Sequence, residues 1–338
     1  MDVELIDCKG IVAAETEAHL AVLRSDGFVR VIHLDANLVL DFARIGAGRA
    51  TPDSTDLGGL LHLAAATEMS IDYDLAVAEL AAGAGRVGDL NRKSRLRAEL
   101  SAGIRAVESH HGLRKGTVVV RHIGEAEVKS YDWVRIGYYT HLLYIEQLAK
   151  QWLGKAAAVQ NVATYIDWAN NRLKNVSGHC LQVALDVFGG EPRAARLLAI
   201  NSSKPQESRA WNAAWDLVHA FAMHYETTRP LRGTMKRAFL ATRDRALSYV
   251  AQRCVVAAYV RDTPAGDTTL VRYRIDQPFL SPHKSRIEGL IREMFEGQRS
   301  RIERRDVITR KELARMRDAL ERGLDIRSRA GESRQGAR

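Results

Sequence analysis

The sequence predicts an α/β sandwich with a mostly parallel sheet, and three observations carry that expectation. Two apolar runs of strand length, VRVIHL and RAFLAT, lie some 200 residues apart. Most of the chain between them has helical period. The order strand, helices, helix, strand belongs to alternating α/β layers.

Element by element, residues 1–28 form an N-terminal extension with an amphipathic stretch, ETEAHLAVLRSDG, that Gly27 ends. Val29 to Leu34 is β-branched and reads as a buried strand that stops at Asp35 and passes into a helical segment over 37–42. Residues 44–56, rich in Gly, Pro, Ser and Asp, read as a loop. Residues 57–82 read as two helices separated near Ser70, with Ser70 or Asp72 as cap of the second. Residues 84–200 are mainly helical, interrupted by one strand over 116–123. NSSKPQ (201–206) is a loop, 208–226 a helix, 237–242 a strand, and 252–261 a further strand. Beyond residue 262 the chain turns irregular, then carries charged helices near 283–302 and 309–323, and its last dozen residues are expected to be disordered. No repeat of 20–50 residues is visible.

With 46% hydrophobic and 27% charged residues in 338, and a mean hydropathy of −0.23, the composition excludes a mostly disordered chain. No apolar run approaches 18 residues, so no membrane span is expected. MDVELIDCKG lacks an apolar signal core, so a cytoplasmic protein is expected. Cys8, Cys180 and Cys254 are odd in number and far apart, which speaks against a disulfide framework or a cysteine zinc site. The net charge of +9 is uneven. Residues 301–338 hold 12 Lys/Arg against 7 Asp/Glu, and residues 86–121 hold 9 against 3. Such patches favour a polyanionic partner, because Lys and Arg neutralise phosphates and release counterions.

Four acids stand in apolar or half-apolar settings: Asp35 in HLDANLVL, Glu79 in DLAVAEL, Asp216 in AAWDLVHAF and Asp244 in LATRDRAL. A carboxylate so flanked is costly to desolvate unless it is paired or bound to a cation. Hard Mg²⁺ or Mn²⁺ suits all-oxygen sites of this kind. Each acid also has an ordinary reading. Asp35 and Asp244 could cap helices, Glu79 could pair with Arg86, and Asp216 with Arg209 or Arg243.

VIHLDANLVLDF resembles the opening strand and first acid of PIN-domain nucleases, a hydrophobic strand followed by D-x-N-x-x-x-D. LAVAEL is similar to that family's second acidic motif, NAAWDLVHAF stands where its third acid lies, and LATRDRAL is similar to its closing T-x-D-x-x-L. The motifs come in the family's order, 44, 137 and 28 residues apart. The middle spacing is far too long and implies a helical insertion, so the resemblance covers a third to a half of the chain. Trp215 before the third acid departs from the family's small residues and puts Asp216 in doubt, with Asp186 or Glu207 as substitutes.

The resemblance implies a three-layer α/β/α PIN-like core over 29–262, interrupted at about 84–200, with a basic C-terminal extension over 263–338. It also implies a Mg²⁺- or Mn²⁺-dependent nuclease acting on nucleic acid, RNA in preference to DNA, with Asp35, Glu79, Asp216 and Asp244 holding the metal. Asn37 and Thr242 would be supporting groups around it, and Asp41 matches a further acid of the motif. Arg92, Lys93, Arg95, Arg209 and Arg243 are candidate phosphate contacts. A non-catalytic nucleic-acid-binding or regulatory protein on the same fold is the alternative. The sequence leaves open a homo-oligomer and an inhibitory protein partner. Weaker signals are Arg172 to His179, which resembles the R-x(4–6)-H of HEPN ribonucleases but departs from it at Leu173 and Gly178, and the loop GAGR, which lacks G-K-[ST]. A HEPN-like or scaffolding helical protein is therefore a third reading.

Overall fold

The computed structural model describes residues 3–7, 28–82, 90–198, 206–228, 236–263, 266–304 and 306–324. In chain order the first elements are β1 (Glu4–Asp7), β2 (Val29–Leu34), α1 (Ala36–Gly46), α2 (Thr55–Ala66), β3 (Ser70–Asp72) and α3 (Asp74–Ala82). There follow α4 (Leu90–His110), β4 (Val120–Arg121), α5 (Glu125–Gln151), α6 (Ala158–Asp167), α7 (Gly178–Phe188), α8 (Pro192–Leu197) and α9 (Gln206–Thr228). The last are β5 (Lys236–Thr242), α10 (Arg245–Arg253), β6 (Val255–Thr263), β7 (Gly266–Arg272), α11 (Lys284–Glu303) and α12 (Arg310–Gly323). The chain divides into two compact units, Met1–Tyr131 with His219–Gln252, and Asp132–Val218 with Arg253–Arg338.

The first unit is built on a five-stranded sheet in the order β1-β5-β2-β3-β4. β5, β2, β3 and β4 run parallel, and β1 is antiparallel at the edge. Strands buried on both faces read as near-continuous apolar runs, which is why VRVIHL and KRAFLAT are legible as sequence. Alternate residues serve opposite faces. Leu5, Ile32, Leu34, Phe239 and Ala241 join one core with Leu38 and Phe42 of α1, Leu60 and Leu61 of α2, and Leu100 and Ile104 of α4. Ile6, Ala238 and Leu240 meet Ala220 and Met223 of α9 and Leu247 and Ala251 of α10 on the other face. Helices on both faces of a mostly parallel sheet make this unit an α/β fold of three layers.

Several expectations are corrected. The segment 44–56 is not all loop, since α1 runs to Gly46 and Ser54 caps α2, its Oγ accepting from the Leu57 N–H at 3.4 Å. A strand, β3, stands where only a break near Ser70 was expected. Three residues are too few to show a period, and β3 owes its existence to pairing with β2 and β4. β4 keeps only Val120 and Arg121 of the expected 116–123. β1 and β7 were not foreseen at all, and β6 pairs with β7 in a separate hairpin instead of joining the main sheet. The amphipathic stretch of residues 15–27, the 201–205 part of the predicted loop and the C-terminal dozen lie outside the described residues.

The helical insertion was expected to begin near residue 84, yet α4 belongs to the core of the first unit. Its crossing of α1 is close enough to require glycine on both sides. A Cβ at Gly46 would stand 1.8 Å from the Glu99 carbonyl oxygen, and one at Gly103 would stand 1.9 Å from that of Phe42. The second unit begins instead at Asp132.

In that unit, α7 carries buried Asp186, which shares a polar cluster with Gln182, Arg253 and Gln277. Burial pushes the Asp186 carboxyl up to about 6 against the pull of Arg253. Cys180 and Cys254 are buried free thiols.

Candidate active site at the carboxyl ends of the parallel strands

From β2 the chain moves to β3 and β4 on one side, then returns as β5 on the other. That reversal puts a topological switch point between β2 and β5, the place where open α/β sheets form ligand crevices. Asp35 follows β2 there, and Asp244 follows β5 two residues on.

Asp35 extends the sheet by one bond, its N–H donating to the Ala241 carbonyl at 3.1 Å. Its side chain is 3% exposed. Oδ1 accepts from the Leu38 N–H at 2.8 Å and so caps α1, while Oδ2 accepts from the Thr242 hydroxyl at 2.5 Å. Burial raises the Asp35 pKa, opposed by the Thr242 and Leu38 hydrogen bonds and by the nearby His219 ring. The Thr242 Oγ1 also accepts from the Asp244 N–H at 2.9 Å. One hydroxyl therefore ties the first and last acidic motifs together. Asp244 is half-buried and caps α10, its Oδ1 accepting from Ala246 N at 2.7 Å and Leu247 N at 3.1 Å.

Glu79 lies on α3, and its Oε2 is 2.9 Å from Nε2 of His219, a ring that is 1% exposed. His219 is the link the sequence reading missed, because its partner lies 140 residues away in the chain. It is bonded to Glu79 and also acts electrostatically on Asp35. Asp216, three residues earlier on α9, is half-buried and falls in the second unit. Its proposed substitute Asp186 is held by Arg253, and Glu207 has no described side chain.

The remaining candidates scatter. Asn37 is exposed on the first turn of α1. Arg243 pairs with Asp41 at 2.5 Å and with Asp56 at 3.7 Å. Arg209 is engaged by Glu146 at 3.0 Å in a buried pair of the second unit, which is a poor position for a phosphate contact. On α4, Arg92 is exposed, Lys93 is half-buried and Arg95 meets Glu99 at 3.4 Å. Arg97 turns inward onto buried Asp74 at 2.9 Å, where His122 and the Ile123 N–H also donate.

Behind the edge runs a polar row that the sequence showed only as strand ends. Arg121, Asp72 and His33 are cross-strand neighbours on β4, β3 and β2. Asp72 is 1% exposed and accepts from the Asp74 N–H, while its Oδ2 has no hydrogen-bond partner. Burial and the Asp74 charge raise it to about 7. His33 has neither ring nitrogen hydrogen-bonded, and burial lowers it to about 4. Glu226 of α9 takes Lys236 at 2.7 Å and Arg121 at 3.2 Å. Burial would raise its carboxyl, but His33, Lys236 and Arg121 together hold it down to about 2.

Among the described residues no group of three or more His, Cys, Asp or Glu side chains is gathered tightly enough to hold a metal. The donor chemistry nonetheless fits a hard cation. Mg²⁺ is usually held by one or two carboxylates and keeps several waters, so it does not require a protein cage. Each carboxylate oxygen of Asp35 accepts one bond and retains further acceptor capacity. Among the described residues no helix is long and apolar enough to cross a membrane. No protein-family model, curated protein or solved structure matches the chain.

Proposed function

We propose that this protein is a divalent-cation-dependent phosphodiesterase acting on nucleic acid, RNA in preference to DNA, with a PIN-like core. The observation that carries the proposal is the Thr242 hydroxyl joining Asp35 and the Asp244 backbone at the switch point. Two motifs some 200 residues apart thereby share one hydroxyl, which supports reading them as parts of one site. RNA rests on the family resemblance alone.

In this reading Asp35 is the principal ligand, fixed in orientation by Thr242 and the Leu38 N–H. Asp244 stands beside it, and Glu79 is held in place by His219. Bound Mg²⁺ or Mn²⁺ would lower the pKa of a water and offset charge on a phosphoryl oxygen. The protein supplies preorganised carboxylates whose positions cost nothing to reach at the moment of reaction. Arg243, anchored by Asp41 and Asp56, sets the rim beside them.

The alternative, a binding protein that does not cleave, is favoured by one observation: both Asp35 and Asp244 cap helices, a role that needs no cation. Cleavage of end-labelled single- and double-stranded RNA and DNA with Mg²⁺, Mn²⁺ or EDTA separates the two. The proposal expects metal-dependent cleavage that Asp35→Asn abolishes, and cleavage surviving in Asp35→Asn/Asp244→Asn refutes the site. Asp216→Asn in the same assay tests the third motif.

A further inference from the structure

The two units divide the charge unequally. Of the 50 Lys/Arg and 41 Asp/Glu, residues 1–131 and 219–252 hold 21 and 21, so the unit that carries Asp35, Glu79 and Asp244 is neutral. The second unit holds 29 and 20 and carries the whole net charge of +9. A neutral unit has little to draw a polyanion, and a body of net charge +9 does.

Within the second unit three of the basic residues, Arg172, Lys174 and Arg315, line one concavity of about 450 Å³ together with Ile308 and Met316. Arg172 and Arg315 are exposed and form no ion pair or hydrogen bond among the described residues. Glu312 also lines it, but its Oε2 is taken up by the Thr309 N–H and hydroxyl in a capping box.

The backbone beneath is unusual. Trp168–Arg172 is a π-helical turn, and Lys174 adopts φ 52°, a left-handed conformation that a residue with a Cβ rarely takes. π turns and left-handed non-glycine residues concentrate at functional sites. Arg172 and His179 do not form a HEPN-like pair. His179 is buried against the Tyr138 hydroxyl at 3.2 Å, while Arg172 stays in solvent.

We infer that the groove formed by Arg172, Lys174 and Arg315 holds the sugar-phosphate backbone of a nucleic-acid strand by charge and without base readout. The inference rests on the proposed action on nucleic acid, but it concerns binding by the second unit only. Full-length protein carrying Asp35→Asn, in EDTA, is titrated against a fluorescent 20-nucleotide poly(U) probe by polarisation over a series of salt concentrations. Arg172→Gln/Lys174→Gln/Arg315→Gln should weaken binding about tenfold or more at low salt. It should also reduce the slope of log Kd against log salt by about 2, at roughly 0.7 per single-strand phosphate contact.

Lys174 also pairs with Asp306, so Arg315→Glu, which loses no partner among the described residues, is measured in parallel and should give the same direction of change. Lys155→Gln/Arg286→Gln, at another concavity of the unit, should change little. Unchanged affinity and slope in both groove variants overturn the inference. So does equal affinity for poly-glutamate of matched charge, which would assign the groove to acidic proteins. Hydrolysis of bis(p-nitrophenyl) phosphate with Mn²⁺ should be preserved in the groove variants on the wild-type background. Loss of that activity in Asp35→Asn alone, with groove binding absent, leaves the nuclease proposal standing while the groove fails.

Discussion

Replacing Asp35 tests its capping of α1 and its proposed metal binding separately, because Asn and Ala divide the two. Asn is as good an N-cap as Asp, so Asp35→Asn keeps the bond to the Leu38 N–H and lets its amide donate to the Thr242 hydroxyl. Ala loses the cap, about 1 kcal/mol, and a hydrogen bond to a charged acceptor, about 2 kcal/mol, for roughly 3 kcal/mol in all. At about 2–4 °C per kcal/mol in a unit of this size, Asp35→Ala should melt roughly 6–12 °C below wild type.

The pH dependence has a definite sign. Burial raises the folded pKa of Asp35 above its unfolded value, so its favourable contribution is complete at acid pH and is lost as pH rises through the folded value. Asp35→Asn should therefore gain on wild type as pH rises. Mn²⁺ at 100 times Kd should stabilise wild type by about 2.7 kcal/mol and Asp35→Asn hardly at all. Thermal melts of the three proteins with and without Mn²⁺, at several pH values, read every one of these quantities. A full Mn²⁺ shift in Asp35→Asn refutes the ligand assignment, and an Asp35→Ala as stable as wild type refutes the capping geometry.

Glu226→Gln leaves the buried Lys236 ammonium and the half-buried Arg121 guanidinium without this carboxylate, a loss of about 3 kcal/mol readable by urea denaturation at pH 7. The wild-type advantage should fade as pH falls from the ordinary carboxylate range to about 2, where Glu226 is protonated in the fold; an advantage unchanged over that range counts against the pairing. Asp72 has the opposite sign, because its folded pKa is raised to about 7. Asp72→Asn should be stabilising above pH 7 and near neutral in acid, and a constant difference across pH would reject the buried carboxyl. Gly103→Ala should cost about 1–3 kcal/mol, since its Cβ would meet the Phe42 carbonyl oxygen and backbone gives way poorly. A neutral result would show that α4 does not cross α1 in the core.

The acids at strand ends were legible because a buried parallel strand is a local, continuous apolar signal and an aspartate after it is visible at once. Asp35, Asp244, β2 and β5 come from that source, and α9 from its helical period. Capping was legible too, and both Asp35 and Asp244 cap. What the sequence could not supply is whatever depends on pairing across the fold. β3 is three residues long and exists because β2 and β4 flank it. His219 finds Glu79 140 residues away, Glu226 finds Arg121 and Lys236, and Arg97 finds Asp74.

The boundary of the first unit was likewise misplaced by sequence, because α4 has the charged composition of a solvated helix. Its membership in the core is decided by two glycines, Gly46 and Gly103, that let two backbones touch. Local periodicity and residue type determined most helices, the two long parallel strands β2 and β5, and the aspartates that follow those strands. Burial, charge partnership and close approach are relations between distant residues, and only the tertiary structure decided them.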